Sequence, residues 1–111
     1  LRLSQQDIPL TVIPVSSVPD NFSLDQNYPN PFNPVTKINF TIPAGGNVDM
    51  KLFDVLGKEV QNLVNGYYGS GTYSFLLNGS GLQSGVYFYS MNFTGENGVT
   101  FTDRKKLILL K

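Results

Sequence analysis

Tyr28-Pro29-Asn30-Pro31-Phe32-Asn33-Pro34 runs directly into Val35-Thr36-Lys37-Ile38-Asn39-Phe40-Thr41-Ile42. Three prolines in seven residues exclude a helix, because each fixes φ, lacks an N–H and pushes the residue before it into extended geometry. The next eight residues alternate. Ile38, Phe40 and Ile42 fall on one face, Lys37, Asn39 and Thr41 on the other, which is the period of a half-buried strand. A stiff corner followed by a long strand is thus expected. Tyr28 and Phe32 are expected to pin the corner to a core. Asn27, Asn30 and Asn33 are expected to satisfy backbone groups that no ladder serves.

Outward from this point the same alternation recurs. Phe22-Ser23-Leu24 is a short strand candidate. After the turn 43–47, Val48 to Asp54 alternates with Val48, Met50 and Leu52 inward. A turn at 54–58 with Gly57 leads to a short strand, Glu59 to Val64. The stretch 65–71 reads as a loop. Thr72 to Leu77 places Tyr73, Phe75 and Leu77 in phase. A Gly/Ser loop, 78–85, precedes Val86 to Thr94, which pairs through Gly95-Glu96-Asn97-Gly98 with Val99 to Leu110. About seven strands with short links and no helical period predict two antiparallel sheets packed face to face.

The composition narrows the function. The chain has 111 residues, enough for one core, with eight Lys/Arg against eight Asp/Glu. A neutral chain with 14% charged residues lacks the clustered cations that nucleic acid requires. No apolar run is long enough to span a bilayer, and no signal peptide is visible. The missing initiator Met suggests a processed protein or a fragment. There is no Cys and no His, so disulfides, thiolate chemistry and the common base–nucleophile pairs are absent.

Residues 1–21 differ from the rest, with no Gly, no aromatic, and Pro9, Pro14 and Pro19. Ile8, Leu10 and Val12 nevertheless alternate. Two readings stand: a linker, or an extended arm that docks as an edge strand on its own sandwich or on a neighbour. The expected organisation is an arm over 1–21 and a β-sandwich over 22–111.

Four stretches together resemble a known family. They are "FSLDQNYPNPFNPVTKINFTIP", "VDMKLFDVLGKEVQNLV", "GTYSF…GLQSGVYFYSMNF" and the terminal "TDRKKLILLK". Their order is similar to that in the type A C-terminal sorting domain of proteins exported by the type IX secretion system of Bacteroidetes. The immunoglobulin-like domains of hook-capping type share the proline corner. The resemblance covers residues 22–111. It implies an immunoglobulin-like β-sandwich of seven strands, and a C-terminal address read by export machinery, on a protein that is secreted or displayed at the cell surface.

The terminal stretch Arg104, Lys105, Lys106, Leu107, Ile108, Leu109, Leu110 and Lys111 is the candidate sorting tail. It reads as a last strand buried on both faces behind a basic gatekeeper. It also reads as exposed cations with an apolar strand end, open to edge addition by a secretion component. In Tyr87, Tyr89, Met91 and Phe93 against Val86 and Phe88, one face must be core and the other should meet the Tyr67-Tyr68 loop or a partner. Asp25, Asn27, Asn30 and Asn33 are a weak Ca²⁺ candidate, lacking the Gly and Glu of a calcium loop; turn capping competes, and no metal is expected. Neither enzyme activity nor a cofactor is expected. The leading expectation is a sorting and attachment module whose partner is the secretion machinery. The alternative is a fibre subunit that donates Ile8, Leu10 and Val12 to a neighbouring copy. A third option is a carbohydrate-binding domain that stacks sugars on Tyr67, Tyr68 and Tyr73.

Overall fold

The computed structural model describes residues 21–111. It contains seven strands: β1 Ser23–Leu24, β2 Val35–Ile42, β3 Gly46–Asp54, β4 Glu59–Tyr68, β5 Gly71–Asn78, β6 Gly85–Gly95 and β7 Thr100–Leu109. One sheet has the order β1-β2-β5, the other β4-β3-β6-β7, and every pairing between these strands is antiparallel. This is the immunoglobulin-like sandwich. Ile8, Leu10 and Val12, and the arm they belong to, lie outside the described residues.

Alternation builds the core as the sequence implies. Ile38, Phe40 and Ile42 from β2 meet Val48, Met50 and Leu52 from β3, all of them buried. From β6 the buried face is Tyr87, Tyr89, Met91 and Phe93. Val86 and Phe88 therefore stand on the outer face. There Phe88 meets Arg104, not the Tyr67-Tyr68 segment.

Two expectations need correction. Residues 65–68 are not a loop, because β4 continues to Tyr68 and pairs Asn65, Gly66, Tyr67 and Tyr68 with Asp49, Val48, Asn47 and Gly46. Asn and Gly look like turn residues, yet a long partner strand supplies the ladder that holds them. The last strand is also not buried on both faces. Leu107 and Leu109 are fully buried, Ile108 on the opposite face is half-buried, and Leu110 is exposed.

Turns are made by specific residues. Asp54 Oδ1 accepts from Leu56 N at 2.9 Å and Lys58 N at 3.0 Å, and Gly57 sits at φ +84°. That left-handed position favours glycine. Gly46 is required for a different reason. A Cβ there would lie 2.5 Å from Thr94 O and 2.8 Å from Gly95 Cα, inside the β3–β6 pairing.

Candidate recognition surface at the C-terminal strand

The corner, expected to launch β2, does a second thing. Its Phe32 is 2% exposed and belongs to the core. Phe32 N donates to Ile108 O and Leu110 N donates to Phe32 O, both at 3.0 Å, so Phe32 and Leu109 form a parallel bridge. Asn30 Oδ1 accepts from Ile108 N at 2.9 Å, and Gln26 Nε2 donates to Lys106 O at 2.6 Å. Residues 26–32 thus cover the outer edge of β7 from Lys106 to Leu110. That part of the edge is occupied and does not stand open to a foreign strand.

The corner has its own scaffold. Asn27 is buried; its Nδ2 donates to Pro29 O and to Thr36 Oγ1, each at 3.0 Å. Thr36 Oγ1 also donates to Pro29 O at 2.8 Å. A buried amide with these partners fixes the bend far better than a solvated one. Tyr28 contributes only backbone, exchanging bonds with Lys37 at 3.0 and 2.9 Å, while its side chain is 80% exposed. Pro29, Pro31, Asn33 and Pro34 are exposed too. Pinning therefore falls to Phe32, and capping to Asn27 and Asn30.

The tail's charges divide between two faces. Arg104 and Lys106 point outward with Thr102 and Ile108. The Arg104 guanidinium lies 5.0 Å above the Phe88 ring, a cation–π contact worth about 0.5–1 kcal/mol at an exposed site. Beside it Phe53, Gly57, Ser90, Thr102 and Arg104 line a shallow depression of about 300 Å³. Lys105 turns to the inner side, 3.8 Å from Asp103. Asp103 Oδ1 also accepts from Arg104 N at 2.7 Å, capping an edge donor beyond the corner's reach. Lys111 closes the chain end, donating from N to Ser84 Oγ at 2.9 Å and from Nζ to Ser80 O at 2.7 Å.

The model of the secretion system C-terminal sorting domain matches residues 26–109. The chain belongs to that family. The matched span begins at the first corner residue that touches β7 and ends at the last residue of β7. This sorting domain is of the type IX class, so the polypeptide carrying it is exported across the outer membrane and is secreted or held at the surface. Among solved structures, the crystal structure of CopC from Methylosinus trichosporium OB3b is similar at 17% identity and a TM-score of 0.50. The alignment covers 80% of this chain and 93% of CopC, a likeness of β-fold alone. No curated protein matches the chain.

Other candidate residues are placed elsewhere. Tyr68 and Tyr73 pack edge to face with centroids 5.0 Å apart, and Tyr73 stacks on Phe40 at 5.3 Å. They are core-edge residues rather than a flat sugar platform. Tyr67 is exposed, and the Glu96 carboxylate bonded to its hydroxyl raises its pKa. Asp25 Oδ1 accepts from Ser23 Oγ at 2.9 Å, and the Asn27 and Asn30 amides are engaged as above. Among the described residues no group of three or more His, Cys, Asp or Glu converges. Nor is any helix there long and apolar enough to cross a membrane. The contact between corner and tail had no signal in the sequence, since Phe32 and Leu109 are far apart and each is accounted for locally, one as a corner residue and the other by strand alternation.

Proposed function

We propose that the sorting domain works by being bound, and that its address is a folded surface made jointly by the corner and β7. The export machinery, and later the surface attachment step, read Arg104, Lys106 and the exposed corner in one fixed arrangement. The single observation carrying this is the set of hydrogen bonds from residues 26–32 onto Lys106, Ile108 and Leu110. They make the tail's edge rigid and present its outward cations from a rigid sheet. A binding role is also supported by three carboxylates of the described residues that have structural partners. Asp54 caps a turn, and Asp49 and Glu59 lie 3.5 and 3.8 Å from the Lys51 ammonium.

The test is a reporter fused ahead of the whole chain in a host with type IX machinery. Arg104→Glu with Lys106→Glu should cut export by at least about tenfold, the loss expected for reversed contact charges. The variant should still unfold cooperatively, with stability lowered by no more than about 1 kcal/mol, the contact of Arg104 with Phe88. A reporter carrying residues 100–111 alone should stay inside the cell. Export of that short fusion at the level of the full domain would overturn the folded-surface reading.

A further inference from the structure

A sandwich of two open sheets has four strand edges, and three of them here are managed. β1 is only two residues long. The β7 edge lies under the corner, with Asp103 capping beyond it. β4 carries Glu59 and has two register shifts against β3, a bulged edge. β5, Gly71–Asn78, differs: it contains no charge and no proline, keeps an unbroken register with β2, and has no partner on its other side among the described residues. An uncharged, regular edge is a template for strand addition.

The sandwich is also open along that side. Phe22 stacks on Phe101 at 4.8 Å and lies 4.9 Å from Phe93, closing the β1–β7 side. On the β4–β5 side Val60, Leu63, Tyr68, Tyr73 and Phe75 are packed against the core but only partly buried. Leu76, on the outer face of β5, is 69% exposed.

The bonding phase of the free edge follows from β2. Lys37 and Asn39, whose side chains point outward, bond toward β1. The inward residues of β2 therefore bond toward β5, and their partners Tyr73, Phe75 and Leu77 bond back. Thr72, Ser74 and Leu76 are left to present the free N–H and C=O groups. An added strand would meet them with its outward residues and send its other residues into the open side.

The chain's own N-terminal segment fits these demands in phase, direction and reach. Ile8, Leu10 and Val12 alternate with Pro9, Thr11 and Ile13. Asn21 leads into β1 at the end of the sheet where Ser23 pairs with Thr41, and β5 begins at that same end, Gly71 opposite Ile42. A strand laid beside β5 and leading on to Asn21 would run antiparallel to β5. The new position is three strand spacings from β1, about 14 Å. Residues 14–20 extend to about 23 Å, enough to cross the end of the sheet.

We propose that residues 8–13 add to the free edge of β5 as an antiparallel strand of the same chain. Ile13, Thr11 and Pro9 lie opposite Thr72, Ser74 and Leu76; Val12, Leu10 and Ile8 enter the open side against Tyr73, Phe75 and Leu77. Pro9 forfeits one ladder bond, to Leu76 O, and its ring covers the exposed Leu76. The arm is then the guard of the one unprotected edge, shielding it from strand exchange between copies.

Amide hydrogen exchange of peptide 71–78 in the full chain, alongside its solution mass, tests this. Leu10→Asp puts a charge into the open side, and Thr11→Pro deletes the N–H aimed at Ser74 O. Each should speed exchange of the slow β5 amides at Ser74 and Leu76 by about tenfold or more in a monomer, leaving β6 unchanged. Exchange at 71–78 that is the same in all three proteins overturns the proposal. So does protection found only in a dimer or longer assembly, which would mean that the arm serves a neighbouring copy.

Discussion

At Tyr89, burial and hydrogen bonding act on the same hydroxyl. The residue is fully buried and its OH donates to Asp25 O at 2.6 Å, tying β6 to the chain just before the corner. Burial pushes its pKa up to about 12; a backbone hydrogen bond from Asn27 works against the rise, and the Asp25 and Asp103 carboxylates add to it. The unfolded chain keeps the ordinary value near 10. Neutral tyrosine is therefore favoured by folding, and its contribution is complete below pH ~10 and lost as pH climbs toward ~12. Urea midpoints measured between pH 8 and 12 should fall more steeply for the natural chain than for Tyr89→Phe. At neutral pH the variant should lose only about 0.5–1.5 kcal/mol, the bond to Asp25. Parallel pH curves for the two proteins would refute this account. The alternation in β6 put Tyr89 on one face with Tyr87, Met91 and Phe93, but left open whether that face or the one with Val86 and Phe88 was core. Its carbonyl partner was not, because a hydroxyl reaching between sheets leaves no mark in a period of two.

Element by element, strand positions and faces were largely readable, since one buried face per strand forces alternation. β2 and the inward side of β3 followed from that rule; for β6 it gave two faces and did not choose between them. It failed where tertiary pairing overruled local composition, as at Asn65-Gly66-Tyr67-Tyr68, where a ladder with β3 holds residues that would turn if left alone. Gly46 shows the same limit, because its need is set by β6 across the sheet. Gly46→Ala would bring a Cβ within 2.5 Å of Thr94 O and 2.6 Å of the Phe93 ring. The two strands must part or Phe93 must move, at a cost of about 1–3 kcal/mol. Chemical denaturation should show that loss. Gly81→Ala, where a Cβ would meet open space, should be close to neutral. Equal effects at the two sites would show that the β3–β6 approach is not the cause.

At the scale of the whole molecule, the corner and the tail are one unit joined across nearly the full described chain. Neither half betrays the other in sequence; only closure of the sandwich brings Phe32 beside Leu109. This makes the fold and the address inseparable by truncation. Ending the chain after Lys105 removes Leu107 and Leu109, each worth about 1.5–3 kcal/mol on burial. It also strips Phe32 of its backbone partners and uncovers its ring. The sum is a large share of the ~5–15 kcal/mol that holds a domain together. The truncated chain should lose its cooperative urea transition and its near-ultraviolet circular dichroism. Arg104→Glu with Lys106→Glu, on the outer face, should shift stability by about 1 kcal/mol or less, mostly through the lost contact with Phe88. A failure of export in the truncated protein therefore reports unfolding, whereas a failure in the charge-reversed protein reports recognition. A truncated chain that still melts cooperatively near the natural midpoint would show that β7 and the corner are not coupled as their hydrogen bonds indicate.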